Sequence, residues 1–501
     1  MKPRTSRAGT GQAPGRLRGI PALLLQTLLV VAVALPAGIA IAPAFLGPDR
    51  SSNASQTALP WQQIPATLSV PGSSAGGIGP LSDAAPVPAG AALAAELNRT
   101  LKPDGAGTFT GIVQDATTGQ VLFDRGADQA RIPASNMKLL TAGAALRVLG
   151  PDRRFSTRVV AGPTPGSVVL TGGGDVLLGA GESAPGAVLG RAGLATLAEA
   201  TIHALKTGGV TGAVSVLLDD SLFSGPSLSQ AWSPEDVAAG EMAPLYPLAL
   251  NSARFDPAKT TGPRPQDAAM TAAEAFAARL TAAAAAAGLS VAPGVARIEP
   301  GSAADSAPDS GHAKVLAEVQ SATVGQQVDF MLQTSDNYLA EVMGRMTARG
   351  VGRPGSSADA IAAVLAQVQD MGVPTDALRA ADVSGLALAN RVSARQLTDV
   401  VRAMTSGTDT RLRAALTGFP VAGLTGTLGD RYTDAASAAG AGLVRAKTGT
   451  LNTVIALSGY VVDADGRLLV FSFVGNGLTP GAANKAALDR SAAVLAGCGC
   501  R

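Results

Sequence analysis

Three short polar clusters follow one another along the chain: Ser135-Asn136-Met137-Lys138, then Ser335-Asp336-Asn337, then Lys447-Thr448-Gly449-Thr450. Together they offer two hydroxyls, two amines and a carboxamide. That set suffices for acyl transfer without an imidazole, because a serine can attack a carbonyl while a lysine takes its proton. The chain has only two histidines, His203 and His312, so a serine–histidine–aspartate site is disfavoured. No Cys/His cluster has zinc spacing. Neither a metal nor a cofactor is expected.

The lysine must meet a condition. An ordinary ammonium is protonated at neutral pH, and removing its proton at pH 7 costs about 4.6 kcal/mol. Burial of Lys138 would lower that cost, and so would a second cation, Lys447, facing the same cleft. The two lysines therefore make sense as a pair with different duties. Lys138 is the expected base for Ser135, Ser335 the relay of a proton toward the leaving group, and Asn337 a donor to substrate that steadies Lys138.

Each cluster alone is weak, and the flanking sequence separates it from decoys. Lys206-Thr207-Gly208 ends a helical pattern, Leu194 to Leu205, and its glycines read as a helix C-cap. Ser51–Asn53 lies in a polar linker. By contrast, Pro133-Ala134-Ser135 precedes a helical run, Met137 to Leu149. That places Ser135 at a helix start with Lys138 one turn on, on the same face. Ser335-Asp336-Asn337 is a short connector between helical stretches Val324 to Leu332 and Tyr338 to Thr347. Leu443 to Lys447 reads as a strand leading into Thr448-Gly449, where a glycine would let a ligand backbone approach the strand edge.

The elements around the clusters predict one antiparallel sheet built from both ends of the chain. Thr108 to Asp115 and Val121 to Asp124 form a hairpin signature. Val454 to Val462 and Leu468 to Val474 form another, and a helical pattern from Ala482 to Ala496 follows. The stretch between Lys138 and Ser335 is longer than such a domain needs. It holds its own strand signals (Thr157 to Val160, Val168 to Thr171, Ala213 to Leu218) and helical patterns (Leu194 to Leu205, Ala272 to Ala287). We expect a catalytic domain at 89–151 and 301–501, carrying one or two inserted domains at 152–300. Gly301 to Gly311 is a polar, low-complexity loop.

The whole chain limits what else it can be. Its 501 residues suffice for several domains, and a net charge of +2 gives no footprint for nucleic acid. Aromatic residues are 3%, so the core is largely Ala, Val and Leu. Lys2, Arg4, Arg7, Arg16 and Arg18 precede an uncharged stretch from Gly19 through Pro48. Residues 1–48 read as a signal peptide or as an uncleaved membrane anchor, and residues 49–88 as a flexible Ser/Pro/Ala-rich tether. Either reading exports the bulk of the chain, to the outer face of the cytoplasmic membrane, the cell wall or the periplasm. An oxidising exterior permits a disulfide between Cys498 and Cys500, although bridging residues two apart is strained. Oligomeric state is left open.

With these clusters in place, the chain resembles the S13 serine peptidase family. Its members are class C low-molecular-mass penicillin-binding proteins with D-Ala-D-Ala carboxypeptidase and endopeptidase activity. The resemblance runs from about Ala89 to Gly497. Beyond the three clusters it includes Gly172-Gly173-Gly174-Asp175, Asp219-Asp220-Ser221-Leu222-Phe223, Asp382-Val383-Ser384-Gly385-Leu386, Asn390, Pro420-Val421-Ala422-Gly423, Gly426-Thr427-Leu428 and Arg431. It implies an α+β penicillin-binding, transpeptidase/β-lactamase-like domain: an antiparallel sheet flanked by helices, with nested, mostly-β inserted domains. It implies peptidoglycan stem peptides as substrate and β-lactams as inhibitors. Ser135 would attack the carbonyl between two D-alanines, and Lys447 and Thr448 would hold the terminal carboxylate. The N–H groups of Ser135 and Thr450 would form the oxyanion hole. Asp219 and Phe223 match residues that contact the substrate side chain. Leu388 stands where relatives often carry an arginine, which puts one anion contact in doubt.

Two rivals share some of these features. A β-lactamase must deacylate fast, and one route needs a glutamate-held water between the second and third clusters. Only Glu341 lies between Asn337 and Lys447, directly after the second cluster, so slow deacylation is expected. A wall-tethered scaffold that had lost turnover would have little reason to keep Ser135, Lys138, Ser335, Asn337 and Lys447 together.

Overall fold

Two five-stranded sheets organise the protein. In the first, both ends of the chain meet: the strands run in the order Arg445–Leu451, Val454–Val462, Leu468–Asn476, Thr108–Asp115, Val121–Arg125, all antiparallel. The joining pair sets Ile112 opposite Ser472 and Val113 opposite Phe471. The structure is a computed structural model, and it describes residues 81–82, 84–298 and 314–499. The expected signal peptide or anchor and most of the tether lie outside the described residues, as does the Gly301–Gly311 loop. Among the described residues no helix is long and apolar enough to cross a membrane. The end of the tether rests on the domain, since Arg467 donates to the Ala85 carbonyl at 3.3 Å. Cys498 is buried after the last helix, and Cys500 is not described.

The helix Met137–Leu149 is the axis of the main core. Its sequence is apolar on nearly every side, and eleven of its residues are buried, Lys138 among them. Helices Val324–Thr334, Asn337–Gly350, Ser357–Asp370 and Ala394–Ser406 pack around it or on the sheet. Local chemistry fixes where they start. Thr323 with Gln326 and Ser393 with Gln396 form capping boxes, and Asp336 accepts the Leu339 N–H at 2.9 Å.

The second sheet belongs to the insertion. Its order is Val315–Gln320, Ser156–Ala161, Ser167–Thr171, Ala213–Asp219, Ser290–Arg297. The first three strands are antiparallel, whereas Ser167–Thr171, Ala213–Asp219 and Ser290–Arg297 run parallel. Parallel neighbours require crossovers, and the helices Leu194–Thr207 and Ala268–Ala287 supply them. Val315–Gln320 lies past the boundary expected at residue 300. It pairs with Ser156–Ala161, so the chain completes this sheet before returning to the main core. The polar run before it concealed the strand, whose signal is only six residues long.

Candidate active site

The serine-bearing turn is unusual before any partner is considered. Ala134–Asn136 form a single 3₁₀ turn that feeds the helix Met137–Leu149. Ala134 has φ of 47°, a left-handed conformation that costs a residue with a side chain about 1–2 kcal/mol. Neither the turn nor the helix has a side-chain cap. The Ser135 hydroxyl, only partly exposed, is therefore not occupied as a cap and instead accepts from Lys138 Nζ at 3.0 Å.

Lys138 is fully buried and makes two further bonds, to Asn337 Oδ1 at 2.6 Å and to the Ser384 carbonyl at 2.7 Å. Asn337 is in turn held by the Glu241 carbonyl of the insertion, to which its Nδ2 donates at 3.1 Å. Burial pushes Lys138 down to about 8, while the Asp382, Asp336, Glu341 and Glu241 carboxylates act in the opposite direction. Deprotonation at pH 7 then costs about 1 kcal/mol rather than about 5.

A second amine–hydroxyl pair faces the first. Lys447 Nζ donates to Ser335 Oγ at 3.0 Å and to the Thr448 carbonyl at 2.8 Å. Burial pushes Lys447 well below the ordinary lysine range, and the charge on Lys138 adds to that. The repulsion between the two amines is mutual and disfavours charging both at once, while the four carboxylates favour the charge on Lys138. Ser335, with φ of 58°, is the first of the two residues that join the helices Val324–Thr334 and Asn337–Gly350. The next residue anchors that joint. Asp336 is buried, accepts from Ser252 Oγ at 2.9 Å and pairs with Arg254 at 2.9 Å.

The third cluster is the strand itself, not its approach: Arg445–Leu451 runs through Lys447-Thr448-Gly449-Thr450. It is an edge strand, with Lys447 opposite Ser458 and Gly449 opposite Ala456. Thr448 Oγ1 lies 2.7 Å from Thr427 Oγ1, and Thr450 is exposed. Gly449 has a different use from the one expected. A Cβ there would lie 2.9 Å from the Pro133 carbonyl, 2.9 Å from Asn136 Nδ2 and 3.0 Å from Ala134 Cβ. The glycine admits the serine-bearing turn. Gly385 closes on that turn as well: its φ is +88°, and a Cβ would sit 1.9 Å from the Ala134 carbonyl.

Thus Ser135, Lys138, Ser335, Asn337, Lys447, Thr448, Gly449 and Thr450 share one region. Asp219 and Phe223 have their contacts elsewhere. Asp219 ends a strand of the insertion and accepts the Ser221 N–H at 3.0 Å. Phe223 lies under the Arg345 guanidinium, 5.4 Å from its ring centre. Arg345 is eight residues along the helix from Asn337, about 12 Å along its axis. Leu388 is 61% exposed on the loop after the Asp382 turn. That turn is structural, as Asp382 accepts from Gly385 N–H, Ala387 N–H, Asn390 Nδ2 and Trp232 Nε1 at 2.7–3.0 Å. The Ser384 carbonyl and the Glu241 carbonyl had no sequence signal, since any residue offers a main-chain oxygen. Glu341 and Thr427 were visible, but nothing in their spacing tied them to the site.

Comparisons with known proteins agree with this geometry. The family model of the D-Ala-D-Ala carboxypeptidase 3 (S13) family matches residues 93–290 and 258–496. The chain is similar to carboxypeptidase DacB of Mycolicibacterium smegmatis, 36% identical over 475 residues that cover 94% of this chain and 95% of the relative. It is also similar to a carboxypeptidase of Mycobacterium tuberculosis, 36% identical over 427 residues covering 85% and 88%. In fold it matches the crystal structure of penicillin-binding protein 4 from Haemophilus influenzae, with a TM-score of 0.61 at 20% identity, covering 79% of this chain and 97% of that one. The α+β, penicillin-binding architecture is therefore the observed one. The chain belongs to the D-Ala-D-Ala carboxypeptidase 3 (S13) family of serine peptidases.

Proposed function

We propose that the protein is a serine-type D-Ala-D-Ala carboxypeptidase and endopeptidase that acts on peptidoglycan stem peptides and is acylated by β-lactams at Ser135. The observation that carries this reading is the arrangement of two fully buried lysines, each hydrogen-bonded to its own serine at 3.0 Å. Neutral Lys138 takes the Ser135 proton as Oγ bonds to the carbonyl carbon of the penultimate D-alanine. The oxyanion that forms points to the N–H groups of Ser135 and Thr450; one such donor is worth roughly 10²–10³ in rate. The C–N bond then breaks, and Ser335, held by Lys447, relays to the leaving amine the proton that Lys138 took from Ser135. Water hydrolyses the ester and frees Ser135. Lys447, Thr448 and Thr427 receive the terminal carboxylate, and Asn337 donates to a substrate carbonyl.

Export of the globular part, by a cleaved signal or an N-terminal anchor, follows from the basic and then apolar start of the chain. Fast β-lactam hydrolysis is disfavoured because Glu341, the one glutamate between the second and third clusters, is buried with its Oε1 already committed to two backbone N–H groups. The test is incubation of the full-length protein with a fluorescent penicillin, followed by intact mass over time. A slow-decaying 1:1 adduct that disappears in Ser135→Ala, with D-alanine release from a pentapeptide, is expected. Absence of wild-type labelling would return the assignment to a scaffold, and rapid repeated turnover of nitrocefin to a β-lactamase.

A further inference from the structure

Glu341 is the buried group that the reaction as written does not use. It lies one turn after Asn337 on the same helix face, 2% exposed. Its Oε1 accepts the N–H of Val383 at 2.9 Å and of Ser384 at 2.7 Å. The carbonyls of those two residues point the other way, into the helix that carries the lysine. Thr141 Oγ1 donates to the Val383 carbonyl at 2.6 Å, and Lys138 Nζ donates to the Ser384 carbonyl at 2.7 Å. Residues 383–384 are therefore gripped by one carboxylate on one side and by Lys138 and Thr141 on the other. The next residue, Gly385, abuts the Ala134 carbonyl in the serine-bearing turn.

We propose that Glu341 is a positioning residue: through the Val383–Ser384 backbone it fixes where Lys138 Nζ sits beside Ser135, and its negative charge is one of those that hold the proton on that amine. The inference rests on Lys138 being the base. Two functions are separable here. The grip needs an acceptor oxygen, which a carboxamide also has. The electrostatic effect needs the charge. Lys138 faces Asp382, Asp336, Glu341 and Glu241, with Lys447 as the neighbouring cation. Glu341 itself faces Asp382, Arg345 and Lys138. Asp382 and Asp336 act on Lys138 more strongly than Glu341, but Asp336 is paired with Arg254 and Asp382 holds the turn's own N–H groups. Glu341 is the carboxylate bonded to the same peptide as the lysine. Burial holds Glu341 up to about 7, so its charge is present on the alkaline side of neutrality, where Lys138 must deprotonate.

The test is the second-order acylation rate with fluorescent penicillin across pH 5–10, for wild type, Glu341→Gln and Glu341→Ala. In wild type the rate rises with pH as Lys138 becomes neutral. Glu341→Gln keeps the grip but loses the charge, so its plateau stays within a few-fold of wild type. Its rising limb moves to lower pH by roughly one unit, the lower end of what a close opposite charge does. Glu341→Ala loses the grip, and the plateau falls on the order of 10²-fold, the effect of about 1 Å of misplacement. A Glu341→Ala plateau equal to wild type would overturn the positioning. A slow Glu341→Ala together with an unmoved limb in Glu341→Gln would reduce Glu341 to a brace and overturn the charge effect. If Glu341→Ala does not fold, the limb of Glu341→Gln alone decides. If wild type is not acylated at all, the base assignment beneath the inference has failed instead.

Discussion

Replacing Gly449 by alanine tests whether the serine-bearing turn is held by the space next to it. The added methyl would meet the Pro133 carbonyl at 2.9 Å and Ala134 Cβ at 3.0 Å, where ordinary contact begins at 3.4 Å. Both neighbours are backbone or Cβ atoms of the turn, so they cannot rotate away. The turn must retreat by about 0.5 Å, or the edge strand must bend by as much. The strand is held along its length by Val454–Val462, which leaves the turn as the part that yields. A 1 Å error at a reacting atom costs about 10²-fold, so half of it gives roughly a 10-fold loss in acylation rate. Overpacking adds about 1–3 kcal/mol of destabilisation. The assay pairs stopped-flow acylation by a chromogenic β-lactam with a thermal melt. Gly466→Ala is the control: unlike Gly449 it is at positive φ, +88°, and it sits in a hairpin with nothing within 4 Å of the new methyl. That variant should lose stability and keep its acylation rate. A Gly449→Ala protein that acylates at the wild-type rate would refute the clamp, whatever its melting temperature.

Other outcomes follow from single contacts. Ser135→Ala should abolish the covalent penicillin adduct, as read by intact mass, with the melting temperature little changed, because this hydroxyl caps no helix. Thr427→Val removes the partner of the Thr448 hydroxyl, and should raise KM for a D-alanine-terminated peptide about 2–10-fold with kcat nearly unchanged. Asp175 is fully buried with Oδ2 unpartnered, and burial raises it to about 7. Its folded value exceeds the unfolded one, so the unfolded chain binds fewer protons between pH 4 and 7 and stability falls as pH rises through that window. Asp175→Asn should remove about 3 kcal/mol of the stability difference between pH 5 and pH 8 in urea titrations; an unchanged difference would discard the assignment.

The parts of the site legible in the sequence are those whose chemistry is in the side chain and whose spacing is local. Ser135 and Lys138 are three apart on a helix start, and helical geometry alone makes them neighbours. That Lys447 reaches Ser335 was legible only from the order of the clusters, because the contact spans the chain. The sheet assembled from both termini was legible because its strands alternate and their turns are polar. The parallel half of the second sheet was not, since parallel pairing leaves no mark on either strand alone. Gly449 and Gly385 could be seen as glycines, but what a glycine admits depends on which backbone passes beside it. Main-chain acceptors are the extreme case. The Ser384 carbonyl that binds Lys138 would be there whatever residue stood at 384. Asp219 and Phe223 were matched by resemblance alone; Asp219 accepts from the nearby Ser221 N–H and Phe223 packs under Arg345.

The unlike surroundings of the two lysines explain why the site needs so many acids that do no chemistry. A lysine buried without counterions is pushed toward its neutral form, as burial and the neighbouring cation push Lys447, and an arriving carboxylate favours its charged form again. A lysine surrounded by fixed carboxylates keeps its proton too firmly to serve as a base. Lys138 lies between these limits because most of the acids facing it are already engaged: Asp336 by Arg254 and Ser252, Asp382 by a turn of backbone N–H groups, Glu341 by Val383 and Ser384. Their residual field leaves Lys138 at about 8, protonated in the resting enzyme and within about 1 kcal/mol of neutrality at pH 7. Three of the groups that engage these acids or Asn337 come from the insertion: Arg254, Ser252 and the Glu241 carbonyl. The insertion is therefore part of what sets the protonation and placement of the lysine, although it supplies none of the reacting atoms.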